Sequence, residues 1–261
     1  MASNIKKLAA TFLLWNYLPK RFRASIQCKM YSSKILKYGF KGDHFTTTYK
    51  NDNVVKTIEN PFGFNYFDAL FFDGYTPKKD DVVLDAGGFD GHVATLMATM
   101  VGSEGKVFSF EPDTNNQQKI MANKLLNGLN NVELVKKGLW SSNTELRFYS
   151  NGTVASSIFF DPGTSKETII KVTSIDHFAK EKELPKIDFI KMNIEGSEIE
   201  AIKGSFDTLK RFKPKIAVTA DHTVDGIQTY PEIIRLLTGA NYSTRLKRVG
   251  KGAIVVIAEP R

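Results

Sequence analysis

The run Val82-Val83-Leu84-Asp85-Ala86-Gly87-Gly88-Phe89-Asp90-Gly91-His92 decides the fold. Its first residues are apolar up to Asp85, as expected of a strand covered on both faces. Its second half carries Gly87, Gly88 and Gly91 and leads into a helix predicted over residues 93–100. Glycine lets a backbone bend sharply and approach a ligand at the carboxyl end of a strand. Alone the motif is weak, because several cofactor-binding folds share it.

The residues on either side narrow the architecture. From Asp81 onward, short β-rich runs alternate with helical stretches, the pattern of a parallel sheet with crossover helices. Strands are predicted over residues 82–85, 107–111, 132–136, 189–193 and 216–220, followed by a terminal pair near 243–249 and 253–257. Helices follow the first, second, fourth and fifth of these. Residues 144–149, 156–160 and 169–172 read as additional short strands. Gly250-Lys251-Gly252 joins the last pair as a tight hairpin. The expected fold is α/β, a doubly wound, mostly parallel seven-stranded sheet of Rossmann-like type with an N-terminal helical and hairpin extension. Three segments follow: a basic helical arm at 1–42, a hairpin and helix at 43–80 leading into the core, and the main domain at 81–261. The hairpin turns at Asn51-Asp52-Asn53, and a helix is expected from Asn65 to Tyr75.

Asp85 and Glu111 indicate what the bend receives. A dinucleotide's pyrophosphate sits against the helix N-terminus after such a turn, where a carboxylate at Asp85 repels it. S-adenosylmethionine carries an ammonium and a sulfonium, which the same carboxylate attracts. Glu111 ends the second strand in Phe108-Ser109-Phe110-Glu111-Pro112, placing two acceptor oxygens where both hydroxyls of a ribose can reach them. The bland alternatives are a capping carboxylate for Asp85 and a solvated strand-end acid for Glu111. Asp90 reads as a turn residue.

These stretches resemble the FkbM-type methyltransferases, class I enzymes that O-methylate sugars or other natural-product hydroxyls. The terminal antiparallel hairpin on a parallel sheet agrees with that class. Four stretches carry the likeness: 83–91, 110–113, 173–177 and 187–204. The most specific is Ile187-Asp188-Phe189-Ile190-Lys191-Met192-Asn193-Ile194-Glu195-Gly196-Ser197-Glu198, similar to the family's strand, acid-x-Glu-Gly-x-Glu and helix. Asn193 stands where the family's pattern has its first acid; it can orient and donate but cannot serve as a base. The resemblance implies that Asp85, Gly87 and Gly91 shape the cofactor pocket, that Glu111 holds the ribose, and that Gly138 and Leu139 border the adenine. It places Asn193 and Glu195 near the cofactor's amino-acid end and the acceptor, with Tyr66 and Asp68 closing the pocket by a looser match.

Methyl transfer from a sulfonium is mainly a problem of alignment, and positioning can supply roughly 7–11 kcal/mol of the barrier. A sugar hydroxyl also needs a base or an electrostatic partner, worth roughly 100- to 10,000-fold. Such a group must sit at the carboxyl ends of the central strands. His222 is the expected base, with Asp221 or Glu195 orienting it and Asn193 beside them. The competing readings are that Asp221 and His222 cap the loop before the next helix, and that Glu195 bonds turn amides near Gly196. No metal is assigned, because one Asp, one Asn and one His make a thin set for a hard cation.

The net charge of +8 is unevenly placed. Residues 1–80 hold 13 Lys and Arg against 6 Asp and Glu, whereas 81–261 hold 23 against 22. The first 41 residues have nine basic side chains and no acid. Such a block meets something anionic. Inside it, the apolar stretch at residues 8–18 is too short to span a bilayer, which takes ~20 residues. It reads either as an interfacial helix on an anionic membrane surface or as a helix packed on protein. One cysteine, Cys28, excludes an internal disulfide framework and suits a cytoplasmic protein, with a peripheral place on the inner membrane face. The first functional reading is transfer of a methyl group from S-adenosylmethionine to a hydroxyl of a small molecule, sugar, glycan or glycolipid. The alternatives are an RNA methyltransferase using the basic arm, disfavoured by the near-neutral main domain, and a non-catalytic membrane-associated scaffold. Oligomeric state is open.

Overall fold

The structure, a computed structural model, describes residues 35–59, 71–150, 157–159, 166–249 and 253–261. The chain divides into two compact units, Met1–Tyr66 and Phe67–Arg261. Residues 1–34 of the expected arm, residues 65–70 of the expected helix, with Tyr66 and Asp68, and the glycine turn at 250–252 lie outside the described residues.

In the first unit, β1 (Ile35–Lys41), β2 (His44–Tyr49) and β3 (Val54–Thr57) form an antiparallel meander in that order. On β2, Phe45, Thr47 and Tyr49 alternate as the buried face, the period-2 pattern of a half-covered strand. The turn at residues 51–53 is where the sequence places it, with Asp52 in the left-handed region at φ 65°. Residues 35–41 depart from expectation: they form a strand, not the end of a helical stretch. Tyr38 and Phe40 lie 6.0 and 4.6 Å from the Phe45 ring, and this cross-strand aromatic packing outweighs a weak local helix preference.

The second unit begins before residue 81. Phe71 and Phe72 are buried, and the Tyr75 hydroxyl donates to Asp81 Oδ2 at 2.7 Å, so residues 71–80 belong to the main domain. Its elements run β4 (Val82–Ala86), α1 (His92–Val101), β5 (Lys106–Phe110), α2 (Thr114–Leu126), β6 (Val132–Val135), β7 (Gly138–Leu139), β8 (Thr144–Ser150) and β9 (Lys166–Thr173). Then follow α3 (Ile175–Glu181), β10 (Phe189–Met192), α4 (Glu198–Lys203), α5 (Phe206–Phe212), β11 (Lys215–Thr219), β12 (Thr223–Val224), β13 (Ile227–Gln228), α6 (Tyr230–Gly239), β14 (Tyr242–Val249) and β15 (Ala253–Pro260). Seven strands make one sheet, ordered β14-β15-β11-β10-β4-β5-β6. All pairs are parallel except those of β15, which runs antiparallel to β11 and β14. This is the predicted doubly wound sheet with its terminal antiparallel pair. Strand order reverses at β4 and β10, the switch point where open α/β sheets bind ligands.

Every residue of β4 is buried, because helices cover both faces of a parallel sheet. Leu84 and Ala86 share one face with Phe108, Phe110, Ile190 and Val218 in a single core cluster. Phe178 of α3 meets Phe108 and Phe110 edge-on at 5.2 and 4.8 Å. Fully burying each such side chain contributes about 1.5–3 kcal/mol. The strands expected at 144–149 and 169–172 are β8 and β9, which with β7 form a separate small sheet. Of the strand expected at 156–160, the described part is Ser157, bridged to Tyr149. The outermost strand, β14, presents Arg245 and Lys247 to Asp73 at 2.9 and 3.2 Å.

After β4 the chain turns at Gly87, φ 84°, where a Cβ would stand 1.9 Å from the Asn193 carbonyl oxygen. Gly239, at the end of α6, has open space around it. Gly87→Ala should therefore lower stability by about 3 kcal/mol through backbone strain and overpacking. Gly239→Ala should raise it by ~0.5–1 kcal/mol. Chemical denaturation of both variants checks the pair; an unchanged midpoint for Gly87→Ala would contradict the bend described.

Candidate active site

A cleft of about 820 Å³, part of it open to solvent, lies at the carboxyl ends of β4, β5 and β10. The glycine bend builds its floor. Gly87 and Gly88 both donate their amides to the Phe110 carbonyl, at 3.1 and 2.9 Å, and the Asn193 amide donates to the Ala86 carbonyl at 3.0 Å. Three strand ends are thereby tied at one place. Gly87, Gly88, Glu111, Gly138, Leu139 and Asn193 line the cleft. Gly91 does not; its Cα packs on Ile120 of α2, where a Cβ would meet backbone at 2.9 Å. It shapes the bend from behind.

Glu111 is 5% exposed. Its two oxygens accept from the backbone amides of Phe89 (2.8 Å) and Asp113 (2.9 Å), so the carboxyl group is fixed in one plane at the cleft wall. Burial raises it from the ordinary 4.5 to about 7, against the lowering effect of those two amides. Each oxygen retains acceptor capacity toward the cleft. Beside it Leu139, Phe148, Ile158 and Ile170 form an apolar wall, suited to a flat heterocycle.

Asp85 is placed otherwise than expected. Its carboxylate is fully buried and is absent from the cleft lining. It accepts from the Ser109 hydroxyl at 3.0 Å and pairs with Lys191 Nζ at 2.9 Å. Direct attraction of a cationic ligand by a free Asp85 charge is therefore not what this geometry offers. Lys191 went unremarked in the sequence, although a lysine inside the apolar strand Phe189–Met192 is itself a signal, since a buried charge requires a partner.

At the other end of the cleft, Glu195 adopts φ 52°, a left-handed conformation that costs a non-glycine residue energy and tends to mark functional turns. Glu195 is among the residues that line the cleft. The turn around it is held by Glu198, which accepts from the amides of Ile194 (2.8 Å) and Gly196 (2.9 Å). The amide-bonding task considered for Glu195 thus belongs to Glu198, leaving Glu195 available. The buried Ser157 hydroxyl donates to the Glu195 carbonyl at 2.9 Å. The Thr219 hydroxyl lies 2.7 Å from the Asn193 side-chain amide oxygen.

His222 stands between the two acids, Nε2 at 3.4 Å from Glu195 and Nδ1 at 3.4 Å from Glu198. Burial opposes a charge there, but the facing carboxylates of Glu195 and Glu198 outweigh it and push the imidazole up to about 11. The two flanking carboxylates favour the protonated imidazole, the form that has no free nitrogen to accept a proton. Asp221 is exposed and does not orient it; the flanking carboxylates are Glu195 and Glu198. Among the described residues, no group of three or more His, Cys, Asp or Glu side chains is arranged to hold a metal ion. Nor is any described helix long and apolar enough to cross a membrane.

Residues 85–244 match the family described as the methyltransferase FkbM domain. A hexuronic acid methyltransferase, AglP, from Haloferax volcanii is 26% identical over 180 residues, covering 69% of this chain and 71% of its own. Among solved structures, the methyltransferase FkbM from Methylobacillus flagellatus KT superposes with a TM-score of 0.53 at 21% identity. That match takes in 73% of this chain but spans only 47% of the other, and it supports the fold.

The raised Glu111 carboxyl has a measurable consequence. Between about 4.5 and 7 the folded chain holds this proton more tightly than the unfolded chain does. The stability it contributes is full below the lower value and is lost as pH rises through the higher one. Melting temperatures taken across this range should fall in the parent relative to Glu111→Gln; curves that run parallel would show that the carboxyl titrates normally.

Proposed function

Because the chain belongs to the FkbM methyltransferase family, we propose that this methyltransferase takes its methyl group from S-adenosylmethionine and delivers it to a hydroxyl oxygen of a sugar, glycan or glycolipid. The carrying observation is Glu195, a cleft-lining acid on a strained turn whose amides are held by its neighbour Glu198. The sugar enters the reading through the Haloferax relative, whose name specifies a hexuronic acid.

The cofactor is tested against the residues present, and they fit. The Glu111 carboxyl, fixed by two amides and open toward the cleft, suits vicinal ribose hydroxyls. Leu139, Phe148, Ile158 and Ile170 suit an adenine. When bound, S-adenosylmethionine supplies a methyl carbon already activated by its sulfonium. The chain's own work is then alignment and proton removal. Glu195 accepts the acceptor's hydroxyl proton as the oxygen attacks. His222, held as a cation, fixes the Glu195 carboxylate by a charged contact instead of competing for that proton. Asn193, set beside Thr219, offers a neutral amide for orienting groups at the same end. The separation of tasks agrees with the geometry: the β5 and β7 side binds, and the β10 and β11 side reacts.

Incubation with S-adenosylmethionine and a panel of uronic-acid and neutral glycosides, read by mass spectrometry, should reveal an acceptor heavier by one methyl group. With that acceptor, Glu195→Gln should lower kcat by about 100-fold or more, in line with loss of a general base, while leaving cofactor affinity nearly unchanged. Full activity in Glu195→Gln would remove Glu195 from the mechanism.

A further inference from the structure

The strand register sets Ser109 of β5, Asp85 of β4 and Lys191 of β10 side by side. They form a polar row across a sheet whose other central residues are apolar. Lys191 is 2% exposed. Its ammonium donates to the Gly87 carbonyl at 2.6 Å and the Ala86 carbonyl at 3.3 Å, and stands 2.9 Å from Asp85 Oδ1 as an ion pair. The Phe71 ring centroid lies 5.3 Å from the ammonium, a cation–π contact that closes its remaining side. Lys191 is thus bound to the bend and paired with Asp85 at the border of the cleft.

A buried ion pair is weak evidence for stability, since its desolvation cost rivals its attraction, and a neutral pair of similar size often replaces it without loss. What a neutral pair cannot do is hold two carbonyl oxygens with a charged donor. Those two carbonyls belong to the residues where β4 bends. On the far side the same bend is held by the Gly87 and Gly88 amides on Phe110. The ammonium grips its carbonyls and Phe110 its amides, so the peptide planes facing the cleft are fixed from both directions.

We propose that Lys191 is a positioning residue of the cofactor site, which, anchored by Asp85 and Ser109, holds the Ala86 and Gly87 carbonyls and so sets the bend against which the cofactor lies. Asp85 then acts on Lys191 and not on the ligand's charge. That distinction can be measured. S-adenosylmethionine and S-adenosylhomocysteine differ in the methyl group and the positive charge on sulfur. A carboxylate that attracts the sulfonium affects the first ligand selectively, whereas a misplaced bend weakens both alike.

The test uses full-length protein and three variants, Lys191→Met, Asp85→Asn with Lys191→Met, and Lys191→Arg, with both ligands titrated by calorimetry and melting followed alongside. Lys191→Met should melt earlier, because it strands Asp85 unpaired. The neutral double variant should regain the parent's melting temperature yet bind both ligands at least about tenfold more weakly, about 1.4 kcal/mol, with their affinity ratio unchanged. If it regains both stability and affinity, Lys191 is merely structural and the proposal falls. If only S-adenosylmethionine weakens, the pair acts through charge and the proposal likewise falls. Should the double variant fail to fold, Lys191→Arg decides, because it keeps the charge facing Asp85 while displacing the carbonyl donors. It must weaken both ligands together, and parental affinity overturns the assignment. The inference rests on the cofactor and not on the acceptor, so a missing sugar product leaves it standing, while a parent that binds neither ligand overturns it together with the cofactor reading.

Discussion

The contact between Gly87 and the Asn193 carbonyl is the constraint from which the rest of the site follows. There is no room at that bend for any side chain, so the ends of β4 and β10 meet backbone to backbone. Parallel strands normally diverge into separate loops at their carboxyl ends. Here the Asn193 amide returns to Ala86 and the glycine amides return to Phe110, and the loops after β4, β5 and β10 leave from one knot. Glu111, the glycine bend and the Asn193–Glu198 turn consequently share a rigid base, although 84 residues separate Glu111 from Glu195 in the chain.

Charge compensation explains why this site can carry so many ionisable groups in a buried place. Asp85 has Lys191, and His222 has Glu195 and Glu198. Glu111 is held by backbone amides, and burial raises its carboxyl toward neutrality. For His222 the balance goes the other way, because two carboxylates at 3.4 Å overcome the cost of burying its charge. The same physics separates a group suited to receiving hydroxyls from one that is favoured as a cation.

The sheet was legible in the sequence because its strands are nearly continuous apolar runs, and the terminal pair was legible from the glycines between its two strands. The small sheet around β8 and β9 was legible as strands, while its pairing to β7 depends on contacts that no local pattern encodes. Residues 35–41 misread for the same reason: Tyr38 and Phe40 become a strand by packing on Phe45, which lies across a turn. Within the site, position was easier to read than orientation. Glu111 and Asn193 line the cleft, and so do Gly138 and Leu139. Asp85 was correctly placed at a strand end, but its side chain points into the sheet toward Lys191, and the alternation that sends it there becomes meaningful only with the register known. Glu195 and Glu198, three residues apart on one turn, divided their tasks by backbone geometry that the letters alone do not carry.

Beyond the catalytic end, the strand that closes the sheet has its own consequence. β14 is the margin at which the ladder of backbone donors and acceptors stops, and an uncharged margin invites a foreign strand to continue it. Arg245 and Lys247 stand along it, and both lean on Asp73 of the same unit. Charged side chains along a margin disfavour its continuation by another strand, and here the residues that supply them also fasten down the chain leading into β4.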